Sequence, residues 1–578
     1  MGIFCIYDLM CNPFKKLKRC LVLFLAVYAG FFSNLVVGQD QKDTKENLAE
    51  RLLKQRGEVV IRFVIPADRS ISYYTTFLSI DNVHHDTITA YANEAGFRQF
   101  LTGNLPYELL QPPSLPAGGV IQRKASADWH ERYPRYDEYL ALMERFAADH
   151  PDLCRLIQFG TSVEGRKLYA MKITDNPGEK EAEPVCLYSS TMHGDEVTGY
   201  ILMLRLIEDL LENYETDTVI SRIVDNVEIW INPLANPDGT YHDSDTSVVG
   251  ATRFNANATD LNRDFPDVQY EEYTTAGRQP ETIAMMNLME GMPLVLAANF
   301  HGGIEVVNYP WDAWSRWHAD DTWYRRVARK YADVAQDNGP PGYMDDLDNG
   351  ITNGNTWYLV YGSRQDYTNY FLHAREVTIE LSTEKMPPES NLGEYWDSNR
   401  QSLIRFIRWT LAGIRGTVTD SVSGLPVKAA VSIRFHDVDN SQIISSETDG
   451  NYFRLLLPGY YPMIFSAPEY YQQLLYVDVR ADNLTELNVQ LAPYFIYFNF
   501  YPNPFTDQLN IHVPESGNDL KIEFTDVAGR KAKIITWPVA SAGMQVIPVY
   551  SLAPGIYIVG ITYGSVQKQQ VLVKAKTR

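Results

Sequence analysis

The chain has 578 residues, too many for one hydrophobic core, so three or four domains are expected. Hydrophobic residues make up 45% and charged residues 21%, a globular composition that argues against long disordered tracts. A formal charge of −21 argues against nucleic acid as a partner, because binding phosphates needs a concentrated positive surface, and favours cationic ligands.

Lys15, Lys16, Lys18 and Arg19 precede an apolar run over residues 21–37, broken only by Gly30, Ser33 and Asn34. This is the outline of a secretory signal peptide, residues 1–38, with Val36 and Gly38 small enough to mark cleavage before Gln39. An uncleaved anchor is the other reading of the run; once the leader is removed, no stable transmembrane segment is expected. Cys5, Cys11 and Cys20 leave with the leader. Cys154 and Cys186 lie on two candidate strands, where they either pair in an oxidising compartment or stay as buried thiols.

Residues 39–120 read as a small α+β unit: strand 58–65, helix 70–79, strand 87–91, helix 94–101 and strand 107–110, closed by a linker with Pro112, Pro113, Pro116 and Gly118-Gly119. Two readings stand for it, a propeptide released near Arg123-Lys124 and a retained accessory domain. Over residues 132–411, strands alternate with long amphipathic helices, which predicts an α/β domain with a mostly parallel mixed sheet flanked by helices. Its buried strands are expected at 185–190, 227–232, 294–300 and 377–381. From Gly413 the pattern is all β, predicting one small sandwich over 413–492 and a second β domain over 495–578.

The chemistry gathers at the ends of the apolar strands. His193 and Glu196 follow strand 185–190, and apolar Val197, Ile201, Leu204, Ile207 and Leu211 then fall at helical spacing, so the pair sits at a strand-to-helix turn. His301 ends strand 294–300. Two His and one Glu make a catalytic zinc site with an open fourth position, and open α/β sheets place such sites at one sheet edge. Cobalt or manganese suits the same ligands in vitro. The alternation Glu376, Thr378, Glu380 turns Glu380 to one face of an otherwise apolar strand.

Residues 132–411 carry, in order, Met192-His193-Gly194-Asp195-Glu196, Asn236-Pro237-Asp238-Gly239, Asp260-Leu261-Asn262-Arg263-Asp264-Phe265-Pro266, His301-Gly302-Gly303, Asn308-Tyr309-Pro310-Trp311-Asp312, Gly350-Ile351-Thr352-Asn353-Gly354 and Glu376-Val377-Thr378-Ile379-Glu380-Leu381. Through these motifs they resemble a zinc metallocarboxypeptidase of the branch containing the regulatory carboxypeptidases E, D and N. The resemblance implies one zinc ion per chain on His193, Glu196 and His301, with Asp260 orienting a zinc histidine. It makes Glu380 the general base, Arg253 the oxyanion stabiliser and Tyr358 the mobile tyrosine that closes over substrate. Asn262 and Arg263 become the clamp for a free C-terminal carboxylate, which suits the planar fork of arginine.

In the same resemblance Asp312 and Gln365 receive a basic side chain, which implies release of C-terminal Lys or Arg from peptides and proteins. The chain departs from the branch at Ser363-Arg364, where Gly-Met is usual; an inward-pointing Arg364 would repel such substrates and neutralise Asp312. Residues 413–492 resemble the transthyretin-like domain that follows the enzyme in this branch, with bracing as its role. Residues 495–578 resemble the C-terminal sorting domain of the type IX secretion system, through Tyr501-Pro502-Asn503-Pro504-Phe505 and the ending at Val573-Lys574. With the leader, this implies export across both membranes of a Gram-negative cell to the surface or medium, with the secretion machinery as partner. Two other readings stay open: a surface adhesin or peptide-binding module that kept the fold without the chemistry, and a carboxypeptidase of cell-wall peptides.

Overall fold

The computed structural model describes residues 45–576 apart from 116–127, 271–272, 482–483, 494–497, 499, 514–515, 542 and 564–565. The expected leader and Arg123-Lys124 therefore lie outside the described residues. Among these, no helix is long and apolar enough to cross a membrane.

The first helix, α1 (Lys45–Arg56), leads into an antiparallel sheet of β1 (Val59–Val64), β2 (Ser79–His84), β3 (Thr87–Ala92) and β4 (Tyr107–Leu110), ordered β2-β3-β1-β4, with α2 (Glu94–Thr102) between β3 and β4. The α+β expectation holds, with two corrections. The helix expected over 70–79 stops at Tyr74, and residues 79–84 form an edge strand instead. That strand is bulged, because Ile80 pairs with Ala90 and Asn82 with Thr89, leaving Asp81 without a partner in the ladder. A bulge re-aims the side chain it carries.

The central sheet has eight strands: β5 (Cys154–Thr161), β6 (Lys167–Ile173), β7 (Val185–Ser190), β8 (Glu228–Asn232), β9 (Leu294–His301), β10 (Glu305–Tyr309), β11 (Ile351–Asn353) and β12 (Arg375–Leu381), in the order β11-β10-β12-β9-β7-β8-β6-β5. The inner strands β12, β9, β7 and β8 are mutually parallel. They are apolar without alternation because both faces are covered. Tyr188 and Phe300 join the core under α3 (Tyr136–Asp149), α4 (Thr198–Glu212), α6 (Asp321–Asn338) and α8 (Leu392–Ile407), while Leu187 and Ala297 join the core on the opposite face with Met285 and Met286 of α5 (Pro280–Glu290) and Tyr367 of α7 (Arg364–Tyr370). Cys154 and Cys186 are buried free thiols, on strands separated by β6 and β8. Because β7, β9 and β12 are adjacent and run the same way, their C-terminal ends open at one edge, with Glu380 beside His301 in register.

Two sandwiches follow. In the first, β13 (Ile414–Asp420), β16 (Asn451–Arg454) and two short strands face β14 (Ala430–Ile433), β17 (Gly459–Ser466) and β18 (Gln473–Val479) with their partner strand. In the second, a three-stranded and a four-stranded sheet enclose Phe505, Ile511, Ile522, Phe524 and Val559.

The first sandwich is pinned to the catalytic domain by a buried ion cluster. Asp320, just before α6, binds Arg375 at 2.7 Å, Arg454 at 2.6 Å and His436 at 2.9 Å, and Arg454 also reaches Asp437 at 2.7 Å. Burial alone would raise the Asp320 carboxyl, but the guanidinium groups of Arg454 and Arg375 hold it well below its ordinary value near 3.8. Asp320→Asn leaves two buried cations short of an anion and is expected to cost about 3–5 kcal/mol in urea unfolding. A folded pKa below the unfolded one means that this contribution is complete above about pH 4 and fades as pH falls through the depressed value, so the wild-type advantage over Asp320→Asn is expected to shrink in acid.

Candidate active site

The loop after β7 carries the first two metal donors, and its shape comes from a second loop packed beneath it. A Cβ on Gly194 would lie 2.3 Å from the carbonyl carbon of Gly239, so only glycine allows this approach. Asn236 donates to the Met192 carbonyl at 3.2 Å, and Thr240 donates to the Gly194 carbonyl at 3.0 Å. The Asn236-Pro237-Asp238-Gly239 motif is thus a buttress for the ligand loop.

His193 Nδ1, Glu196 Oε2 and His301 Nδ1 converge: the histidines lie 3.0 and 2.8 Å from the carboxylate oxygen and 3.0 Å from each other. Asp260 Oδ1 lies 3.0 Å from His193 Nε2, and as an acceptor it places the proton there, leaving Nδ1 a lone pair. Asn299 sits 2.6 Å from His301 Nε2, and its Oδ1 is buried without a partner. The half-turn of this amide that gives Oδ1 the Nε2–H leaves His301 Nδ1 a lone pair as well. Three facing lone-pair atoms repel unless a cation lies among them, and tetrahedral zinc ligands at about 2.0–2.2 Å from the ion stand roughly 3.3 Å apart. The donor set therefore fits zinc. Burial pushes the His301 imidazolium down to about 4, so its ring is neutral and able to ligate. Burial would raise Glu196, yet His193, Lys385 and His301 hold its carboxyl well below the ordinary range.

His193, Glu196, His301, Glu380, Arg253, Asn262, Arg263, Asp312 and Tyr358 line one cleft of about 540 Å³. The Glu380 carboxyl is pushed well above its ordinary value, first by burial and then by the charge of Glu196. Arg253 reaches Glu196 Oε1 at 3.0 Å and Asp260 at 3.4 Å. Asn262 and Arg263 sit on a short 3-10 turn capped by Asp260, whose Oδ1 accepts from Asn262 N at 2.9 Å, so one carboxylate aligns both a metal histidine and the pair beside it. Asn262 Oδ1 accepts from Arg364 N at 3.0 Å, which turns its NH₂ group outward, and Arg263 Nε is buried with no partner.

Deeper in, Asp312 is enclosed by two amides. Gln365 Nε2 donates to its Oδ1 at 3.0 Å and Asn308 Nδ2 at 3.2 Å, while Gln365 Oε1 and Asn308 Oδ1 are buried without partners. A Cβ on Gly354 would come within 1.8 Å of Asp312 Oδ1, so the glycine makes room for the carboxylate. Gln365 stands beside Asp312, just outside the residues that line the cleft. Arg364 is fully buried and spends its charge on Glu376, 2.9 Å away, outside the cleft.

Four neighbours went unrecognised in the sequence. Lys385 Nζ meets Glu196 Oε1 at 2.6 Å, from a loop with no periodicity to mark it. Asn299 and Asn308 carried a usable signal, lying two residues before His301 on its own strand face and four before Asp312. The fourth, Asp81, belongs to the N-terminal sheet, yet with Ile80 it lines this cleft.

Residues 139–402 match the zinc carboxypeptidase family. Human carboxypeptidase D is 38% identical over 380 residues, covering 63% of this chain and 27% of that protein. The human carboxypeptidase N catalytic chain is 33% identical over 405 residues, covering 62% of this chain and 86% of that one. Among solved structures, carboxypeptidase A from Helicoverpa armigera aligns with a TM-score of 0.48 at 16% identity, over 61% of this chain and 98% of that chain. The central domain is that of a zinc metallocarboxypeptidase, and the chain belongs to the zinc carboxypeptidase family, with carboxypeptidases D and N among its relatives. The chain spans little more than a quarter of the length of carboxypeptidase D. Residues 499–575 match a secretion-system C-terminal sorting domain, the type IX tail that directs export to the cell surface or medium.

Zinc binding is open to a direct check. Asp260→Asn removes the anion that fixes the His193 tautomer and is expected to weaken zinc about 10- to 100-fold in competition with a chelator, whereas Glu380→Gln is expected to retain one zinc per chain.

Proposed function

We propose that this chain is an exported enzyme that hydrolyses the C-terminal peptide bond of peptides and proteins and releases Lys or Arg. His193, Glu196 and His301 would hold zinc, whose positive charge would bring the pKa of a water molecule toward about 7. Glu380 takes a proton from that water and delivers it to the leaving amine; a carboxyl raised by burial gives up a proton less readily and so serves better as the acid of the second step. Arg253 faces the oxygen that becomes negative as the carbonyl is attacked. Asn262 and Arg263 hold the terminal carboxylate, the buried unpaired Nε of Arg263 being one donor available to it. Tyr358 closes the cleft.

The preference for a basic residue rests on one observation. Asp312 can only accept, so both neighbouring amides turn their NH₂ groups to it, and this strands Gln365 Oε1 and Asn308 Oδ1 as unpaired acceptors around a buried anion. Unpaired buried acceptors are costly, and an ammonium or guanidinium group supplies the donors that they lack. Arg364 does not oppose this, because Glu376 pairs with it. The first sandwich acts as a brace, and the tail directs the enzyme across both membranes of a Gram-negative cell.

The test is hydrolysis of blocked dipeptides ending in Lys, Arg, Leu or Phe. Asp312→Asn is expected to lower kcat/KM for Lys and Arg about 10- to 100-fold relative to Leu, as for loss of a hydrogen bond to a charged group. Equal or faster release of Leu or Phe by the wild type would overturn the basic preference. Glu380→Gln is expected to lower kcat about 10²- to 10⁴-fold with zinc still bound.

A further inference from the structure

Ser363-Arg364 opens α7 beside Asp312, and it is here that the chain departs from the Gly-Met usual in the branch it resembles. Arg364 is fully buried, and its backbone N–H goes to Asn262 Oδ1 at 3.0 Å. Its Nε meets Glu376 Oε1 at 2.9 Å, and Glu376 Oε2 accepts from the Thr368 hydroxyl at 3.0 Å. The pair cancels in charge, but Arg364 Nη1 and Nη2 remain buried donors with no acceptor.

Strand β12 sets this pair at the inner end of the cleft. Thr378 lines the cleft and lies opposite Asn308 in the ladder with β10, and Asn308 lines it too. Glu376 stands two residues before Thr378 on the same strand face, roughly 6.6 Å farther from Glu380 at the rise of a strand. The guanidinium bound to Glu376 therefore closes the row Glu380, Thr378, Glu376.

Counting donors against acceptors separates the two basic side chains. An ionised carboxylate offers about four acceptor sites. Three donors already reach Asp312, from Asn308, Gln365 and the Ser363 hydroxyl. One site is left, and the unpaired Asn308 Oδ1 and Gln365 Oε1 bring the free acceptors to three. A lysine ammonium carries three N–H donors and matches them, whereas an arginine guanidinium carries five and reaches one atom further. Even with the Thr378 hydroxyl as a fourth acceptor, one donor is left over, and beyond it lie only the N–H groups of Arg364.

We propose that Arg364 is a specificity-determining residue, which turns the basic preference toward C-terminal Lys and against Arg by ending the Asp312 pocket in unpaired donors. A substrate guanidinium meets a second guanidinium there and strands donors on both sides, which is costly in a buried site. An ammonium stops short of it. Release of either residue rests on the carboxypeptidase reading given above; the order in which the pocket binds the two side chains does not.

The experiment uses the full zinc-loaded chain as wild type and as Arg364→Met/Glu376→Gln, which removes both members of the buried pair so that neither charge is stranded. Arg364→Lys keeps a cation on Glu376 with fewer donors, and Arg434→Ala is a control on an exposed residue of the sandwich. Two readouts are taken: kcat/KM on blocked dipeptides ending in Lys and in Arg, and the Kd of Nα-acetyl-lysine and Nα-acetyl-arginine by calorimetry, which needs no cleavage. In the wild type Lys is expected to lead Arg at least tenfold in both, mainly through KM. The ratio is expected to fall to within threefold of unity in the double variant and to an intermediate value in Arg364→Lys, with the control unchanged. A merely structural role would weaken both ligands together and leave the ratio as it was. Arg equal to or ahead of Lys in the wild type, or a ratio unchanged in both Arg364 variants, would overturn the assignment. Tighter acetyl-lysine binding that is lost in the double variant, with no peptide cleaved by any form, would keep the role of Arg364 and sink the carboxypeptidase reading instead.

Discussion

A buried carboxylate is stable only when cations or donors surround it, and Glu196 is where this constraint organises the molecule. Its Oε2 faces His193 and His301, and its Oε1 is held by Lys385 at 2.6 Å and Arg253 at 3.0 Å. One side chain therefore ties together the loop after β7, the end of β9, the loop after β12 and the segment leading to Asp260. The cations keep Glu196 ionised, and that same charge, added to burial, drives neighbouring Glu380 the other way. Two carboxylates lining one cleft are thus shifted in opposite directions by their surroundings alone.

The surroundings of Asp312 obey the same rule with a different outcome. Arg364 and Glu376 neutralise each other inside the core, so the field of Asp312 reaches the cleft uncompensated by the nearest arginine in sequence. Asp366, pushed well above its ordinary value by burial and by Asp312, instead caps the Asp312 segment by accepting from the N–H groups of Asp312 and Ala313 at 2.9 and 2.8 Å.

What was legible in the sequence was whatever lies on a buried strand or next to one. Strands β7, β9 and β12 announce themselves as apolar runs, and their ends carry His193, His301 and Glu380, so both the α/β class and the donor set could be read before any coordinates. Strand β2 could not: Ser79-Ile80-Asp81-Asn82-Val83-His84 has a bulge at Asp81, which breaks the alternation that marks a strand, and the aromatic run ahead of it mimics helical spacing. Lys385 was hidden for another reason, since its role depends on long-range packing of a loop. Asn299 is the instructive miss, because period-two alternation from His301 pointed to it directly.

The two neighbours of the catalytic domain are joined to it by opposite physics. In the sandwich brace, the side chains of Asp320 and Arg454 are 3% and 0% exposed, and Asp320 also takes Arg375, the first residue of β12, whose sixth is Glu380. Separating such a cluster strands bare charges in a protein interior, so it holds the sandwich against the start of β12. In the N-terminal unit, Asp81 is 17% exposed and lies at the bulge of an edge strand. The carboxylate that pins the sandwich is sealed from water, and the one that the N-terminal unit sets against the cleft is partly open to it.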